Sequence, residues 1–172
     1  PINISGDNIV INSRFLPTEN LIRLINQLEF NDAILLNDVL IAARLNEKQF
    51  ERLLENKQIE ELRGIQLENE SNYIKVISRP YDIFSLNESE IKSDYDLITK
   101  GRTSHDMPAH VMLSAGNTDN IFVEEGAVIN PCFINNTNGP IYIGKDVEIM
   151  EGAMLRGAIA LCENAQVKMG AK

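Results

Sequence analysis

The side chains able to act on a substrate are few and thinly spread. The two histidines, His105 and His110, fall between Gly101 and Asn120, and none follows. A histidine base for acyl transfer is therefore missing from the C-terminal stretch, and both histidines read as exposed residues of a polar connecting segment. Cys132 and Cys162 have no metal spacing and give no disulfide framework. No two glycines sit in G-x-G spacing, so no phosphate-cradling glycine loop is present. Glu124, Glu125, Glu148 and Glu151 read as solvated outward positions rather than metal ligands, and the expected metal set is empty. Arg156, Lys168 and Lys172 stand as either a basic strip or separate solvated side chains. Arg102 is either a phosphate contact or an exposed residue, and Arg79 and Asp82, flanking Pro80, suit a salt bridge or helix cap.

These cations ride on a repeat. From Ile143 the chain reads IGKDVE, IMEGAM, LRGAIA, LCENAQ, VKMGAK. Ile143, Ile149, Leu155, Leu161 and Val167 fill the first slot; Val147, Ala153, Ile159, Ala165 and Ala171 fill the fifth. Neither a helical nor an alternating period explains this spacing. A six-residue period marks a parallel β-helix whose three flat sides close a coil of about 18 residues. The first and fifth residues point inward, so Ile143, Ile149, Leu155, Leu161 and Val167, with Ala153 and Ala165, are expected to be buried. Upstream, VEEGAV from Val123 fits, and Ile129 starts the next six, although Phe133 is large for its slot. The eight residues Asn135 to Tyr142 exceed one hexad, and Asn138-Gly139-Pro140 is turn chemistry. Coil one is expected over 123–142 and coil two over 143–160.

The elements before Gly101 are of another kind. INISGDNIVIN reads as two short strands. PTENLIRLINQLEF opens a helix at Pro17 with Leu21, Leu24, Ile25 and Leu28 on one face. AILLNDVLIAARL reads as a hairpin turning at Asn37-Asp38. A second helix starts at Asn46, with Gln49 completing a capping box and Phe50, Leu53 and Leu54 facing inward. YIKVI is another strand. Pro80 starts a helix carrying Ile83, Phe84, Ile91, Tyr95 and Ile98 and ending near Gly101. The predicted organisation is an α/β unit over 1–100, a linker over 101–120 and a β-helix over 121–172.

Composition bounds the function. The 172 residues are 44% hydrophobic and 24% charged, with net charge −9. That balance argues against nucleic acid or an anionic membrane as partner. No apolar run is long enough to span a bilayer, the start lacks the marks of a signal peptide, and cytoplasmic residence is expected.

The phrases SRPYDIFSLNESEIKSDYDLITKGRTS, NIFVEEGAVI, GPIYIGKDVEIMEGAMLRG and ALCENAQVKMGAK resemble bacterial sugar-nucleotide enzymes. The type is the UDP-N-acetylglucosamine diphosphorylase/glucosamine-1-phosphate acetyltransferase, in its sugar nucleotidyltransferase/glucose-1-phosphate thymidylyltransferase branch. The resemblance implies an N-terminal nucleotidyltransferase domain leading through a helix into a left-handed β-helix. It implies nucleoside triphosphate and sugar-1-phosphate substrates, Mg²⁺ and acetyl-CoA as cofactors, and a homotrimer. LRG at Leu155 to Gly157 resembles the family's Leu-Arg-Pro-Gly phrase, without the proline, which makes Arg156 the implied sugar-phosphate contact; Lys168, from the basic-strip reading, is the second candidate. Members of the family start earlier and continue further, so Pro1 and Lys172 read as cut ends of a fragment, inactive by itself and associating through its last, uncapped coil. The alternative is a non-catalytic β-helix serving as an oligomerisation and interaction platform.

Overall fold

A computed structural model describes residues 4–59, 61–67 and 74–172. The chain divides into two units, one ending at Pro80 and one running Tyr81–Lys172.

The first unit is built on a four-stranded sheet. Its elements are β1 (Asn8–Ile11), β2 (Phe15–Leu16), α1 (Glu19–Asn26), β3 (Asp32–Leu36), β4 (Val39–Leu45), α2 (Glu47–Leu54), β5 (Arg63–Gln66) and β6 (Lys75–Val76). The sheet order is β1-β4-β3-β5, with only the β3–β5 pair parallel; β2 and β6 form a separate antiparallel pair. The hairpin between β3 and β4 turns at Asn37 and Asp38, both with positive φ, the backbone that two-residue hairpin loops require. Alternation along β3 and β4 gives the sheet two apolar faces. Ile34 and Ala42 pack with Leu21, Ile25 and Leu28 of the α1 side. Ala33, Ala43 and Leu45 pack with Phe50 and Leu53 of α2. Thr18 caps α1 by accepting the Leu21 N–H at 3.2 Å. At α2, Asn46 and Gln49 form the expected capping box. Leu54, expected inward, is instead half exposed, at the last residue of α2. Of the two strands expected in INISGDNIVIN, β1 is present and residues 1–3 lie outside the described residues, as does Tyr73 of YIKVI.

The helix expected from Pro80 is α3 (Pro80–Thr99), which opens the second unit from Tyr81; none of its residues is buried, and Phe84 is 88% exposed. Nine short strands follow: β7 (Met112–Leu113), β8 (Ile121–Val123), β9 (Val128–Ile129), β10 (Phe133–Asn135), β11 (Ile141–Ile143), β12 (Glu148–Ile149), β13 (Met154–Arg156), β14 (Ile159–Leu161) and β15 (Gln166–Val167). They form three parallel three-stranded sheets, β7-β10-β13, β8-β11-β14 and β9-β12-β15. Each strand thus pairs with the third one after it, and the chain visits the sheets in rotation. Stacking starts at Met112, inside the stretch expected to be linker.

Ile143, Val147, Ile149 and Ala153 are fully buried and Leu155 nearly so, while Leu161, Ala165 and Val167 are only partly buried. The last two belong to or adjoin β15, and Leu161 to β14, both outer strands of their sheets. The register upstream differs from the strict hexad. Cys132 is buried and Phe133 points outward, 47% exposed: one residue fewer turns that corner, so the small cysteine takes the inward slot. Phe133 pairs with Met154 and Ile141 with Ile159, which leaves the intervening segment three residues longer than its counterpart. The fourth slot also carries information. Gly126, Asp146, Gly152, Asn164 and Gly170 all occupy it, and all have positive φ, a backbone for which glycine, then Asn and Asp, are best suited.

Candidate functional site

Each unit carries a cleft lined by charged side chains. In the first unit a cleft of about 390 Å³ is lined by Leu24, Glu29, Asp32, Ile34 and Arg63 among others. Asp32 is buried, and Arg63 grips it twice, Nε to Oδ1 at 2.6 Å and Nη2 to Oδ2 at 2.9 Å. The Glu29 N–H donates to Asp32 Oδ2 at 2.9 Å, and the Glu29 carboxylate takes Arg63 Nη2 at 3.2 Å. The Arg63 guanidinium, then the Glu29 N–H, holds the Asp32 carboxyl below its ordinary range. One cation between two carboxylates leaves this cleft short of positive charge for an anion.

In the second unit a cleft of about 400 Å³ opens beside β8. Its centre of order is Arg102, just past α3. Arg102 Nη2 donates to Glu124 Oε2 at 2.7 Å, Nη1 donates to the Ile98 carbonyl at 3.0 Å, and the guanidinium lies 5.0 Å over the Phe122 ring. The Tyr142 hydroxyl donates to the other Glu124 oxygen at 2.6 Å, and its ring stacks on Phe122 with centroids 6.0 Å apart. The Tyr142 hydrogen bond, then Arg102, holds the Glu124 carboxyl below its ordinary range against the opposing effect of burial. Glu124 is therefore no solvated outward glutamate, and Arg102 is committed to protein contacts rather than free for a phosphate. Stacked neighbours on β8 and β11, Phe122 and Tyr142 were the available sequence signal: two outward aromatics in equivalent slots.

The sequence-derived candidates lie elsewhere. Arg156 closes β13, is exposed, and has no side-chain partner among the described residues. Lys168 follows β15, on a different sheet, and donates to Gln166 at 2.6 Å, which in turn donates to Glu148 at 3.1 Å. The strip does not form between them. Lys172 is the nearer match: the Met154 N–H donates to the Ala171 carbonyl at 2.8 Å, which returns the chain end to the side that carries Arg156. His110 donates from Nε2 to the Ile129 carbonyl at 2.7 Å, whereas His105 lines the second cleft. Cys132 and Cys162 are unpaired, and burial raises the Cys132 thiol above its ordinary value.

The sequence model for sugar nucleotidyl transferases matches residues 1–103. The chain belongs to that family. The match takes in the four-stranded sheet, the Asp32–Arg63 cleft and α3, and ends at Thr103 beside the Arg102 clasp. No curated protein and no solved structure matches the chain. No helix among the described residues is long and apolar enough to cross a membrane.

Proposed function

We propose that this sugar nucleotidyl transferase is part of an enzyme that couples a nucleoside triphosphate to a sugar-1-phosphate. A phosphate oxygen of the sugar-1-phosphate attacks the α-phosphorus; the bond from that phosphorus to the bridging oxygen breaks, and pyrophosphate leaves with the electron pair. The observation that carries the reading is the family match over 1–103. Among the described residues no group of three His, Cys, Asp or Glu side chains is placed to hold a metal ion. Mg²⁺ is commonly held by one or two carboxylates together with substrate phosphates, and no step here is routed through it.

The finer assignment is the UDP-N-acetylglucosamine type, with the parallel sheets wound left-handed, acetyl transfer from acetyl-CoA to glucosamine-1-phosphate, and a homotrimer. Its support is the hexad pattern together with Arg156, an exposed arginine with no side-chain partner among the described residues, able to meet a phosphate through charge-assisted hydrogen bonds. A second reading, a non-catalytic interaction platform, is favoured by one feature: Met112, Phe133 and Met154 align across β7, β10 and β13 as an exposed apolar row.

Pyrophosphate release by the gene's whole product, measured over pairs of nucleoside triphosphates and sugar-1-phosphates, tests the first reading. Turnover with at least one pair is expected. Silence with every pair overturns it and leaves the platform.

A further inference from the structure

The cleft beside β8 holds a set of polar groups that the protein itself does not use. Ser104 is engaged, donating to the His105 carbonyl and accepting the Val123 N–H, each at 2.9 Å, and Thr99 donates to the Tyr95 carbonyl at 2.7 Å. By contrast the exposed side chains of His105, Asp106, Thr118 and Asp119, which all line the cleft, make no hydrogen bond or ion pair with any described residue, His105 acting on Glu124 only through its charge.

Both walls carrying these groups are fixed from behind. The Ser104–Asp106 wall is tied to β8 by Ser104 and by the His105 N–H, which donates to the Val123 carbonyl at 2.9 Å. The wall of Thr118 and Asp119 is pinned on both flanks by Asn136, which is 2% exposed. Asn136 Nδ2 donates to the Asn117 carbonyl at 3.2 Å and to Asn120 Oδ1 at 2.7 Å, and Asn120 Nδ2 donates back to the Asn136 carbonyl at 2.8 Å. Asn136 Oδ1 is buried without a partner among the described residues. The backbone of both walls is thus held in place, while the exposed side chains on it stay free to turn toward a ligand.

We propose that this cleft binds a neutral sugar ring. Two unpaired carboxylates accept hydrogen bonds from neighbouring hydroxyls, while Thr118 and His105 can both donate and accept. Tyr95, Met107 and Ile121 supply apolar surface for the C–H faces of a ring. An anion is disfavoured, because the one arginine present is neutralised by Glu124 and two carboxylates remain. The described His, Cys, Asp and Glu residues form no group of three able to hold a metal ion by themselves. The volume, about 400 Å³, lies at the small end for ligand pockets and suits one ring.

The test uses the 172-residue chain, with amide NMR shifts read during titration by D-glucose, D-galactose, D-mannose and, as the anionic arm, glucose-1-phosphate. Saturable shifts confined to residues 104–107 and 118–119 with at least one neutral sugar are expected. Asp119→Asn and Asp106→Asn should each weaken that binding about tenfold or more, by loss of a hydrogen bond to a charged acceptor, with the remaining amide spectrum unchanged as the check on folding. Absence of shifts in those segments with all three sugars overturns the proposal, as does tighter binding of glucose-1-phosphate there. Neither outcome bears on pyrophosphate release, so this site and the nucleotidyl transfer reading stand or fall separately.

Discussion

Arg102 and Glu124, 22 residues apart, meet at 2.7 Å where the chain leaves α3 and enters the stacked sheets. The contact is more than a surface ion pair. Glu124 is also held by Tyr142, Arg102 covers the Phe122 ring, and Glu124 has only 16% of its side chain exposed. Exposed pairs contribute little; this one gains from the aromatic floor and the second hydrogen bond.

The pH dependence follows from Glu124. Its carboxyl sits below the ordinary value in the folded state, so the unfolded chain binds protons more readily. The resulting stability is fully present above the unfolded glutamate value and is lost as pH falls through the folded one. Thermal melts of the native chain and Glu124→Gln between neutral and acid pH should therefore converge as the pH drops. Parallel curves would remove Glu124 from the acid response. Asp32 and Asp7 contribute with the same sign in both proteins, so the difference between the curves isolates Glu124.

Asn136→Ala removes both donors that pin Asn117 and Asn120. Leaving those acceptors unmet should cost about 1–3 kcal/mol in urea unfolding. Thr137→Ala, one residue on and exposed, should stay within about 0.5 kcal/mol. Equal effects would deny Asn136 its anchoring role.

The stacked core is graded. Ile149→Ala, at a fully buried site between β9 and β15, should destabilise by about 2–5 kcal/mol. Leu161→Ala, in an outer strand and partly buried, should cost visibly less. A larger loss at Leu161 in dilute solution would mean that further protein covers that end.

If the proposed acetyl transfer to glucosamine-1-phosphate is found in the gene's whole product, Arg156→Ala should reduce it by roughly tenfold to a hundredfold, the worth of one charge-assisted phosphate contact. Nucleotidyl transfer and the melting temperature should hardly move. Unchanged acetyl transfer would assign Arg156 to the solvated surface.

What the sequence determined by itself is whatever local pattern dictates. The hexad slots named the buried Ile143, Val147, Ile149, Ala153 and Leu155, because a residue every sixth position returns to the same inward side. Asn37-Asp38 named the hairpin and Asn46/Gln49 the capping box, since both are satisfied within four residues of chain. The corner residues were equally legible in principle: only Gly, Asn or Asp stand at 126, 146, 152, 164 and 170, where the backbone turns left-handed. The tertiary structure decided the rest. Whether Glu124 is solvated or clasped depends on Arg102 and Tyr142 arriving from about 20 residues away on either side. Whether Arg156 and Lys168 form one strip depends on which of three sheets each joins, and they join different ones. The polar cleft arises where 99–107 and 118–123 are drawn together by backbone bonds to β8 and by one buried asparagine. Contacts of that kind are set by which coil stacks on which, and a single skipped residue at Cys132 or three extra before Ile141 moves them all.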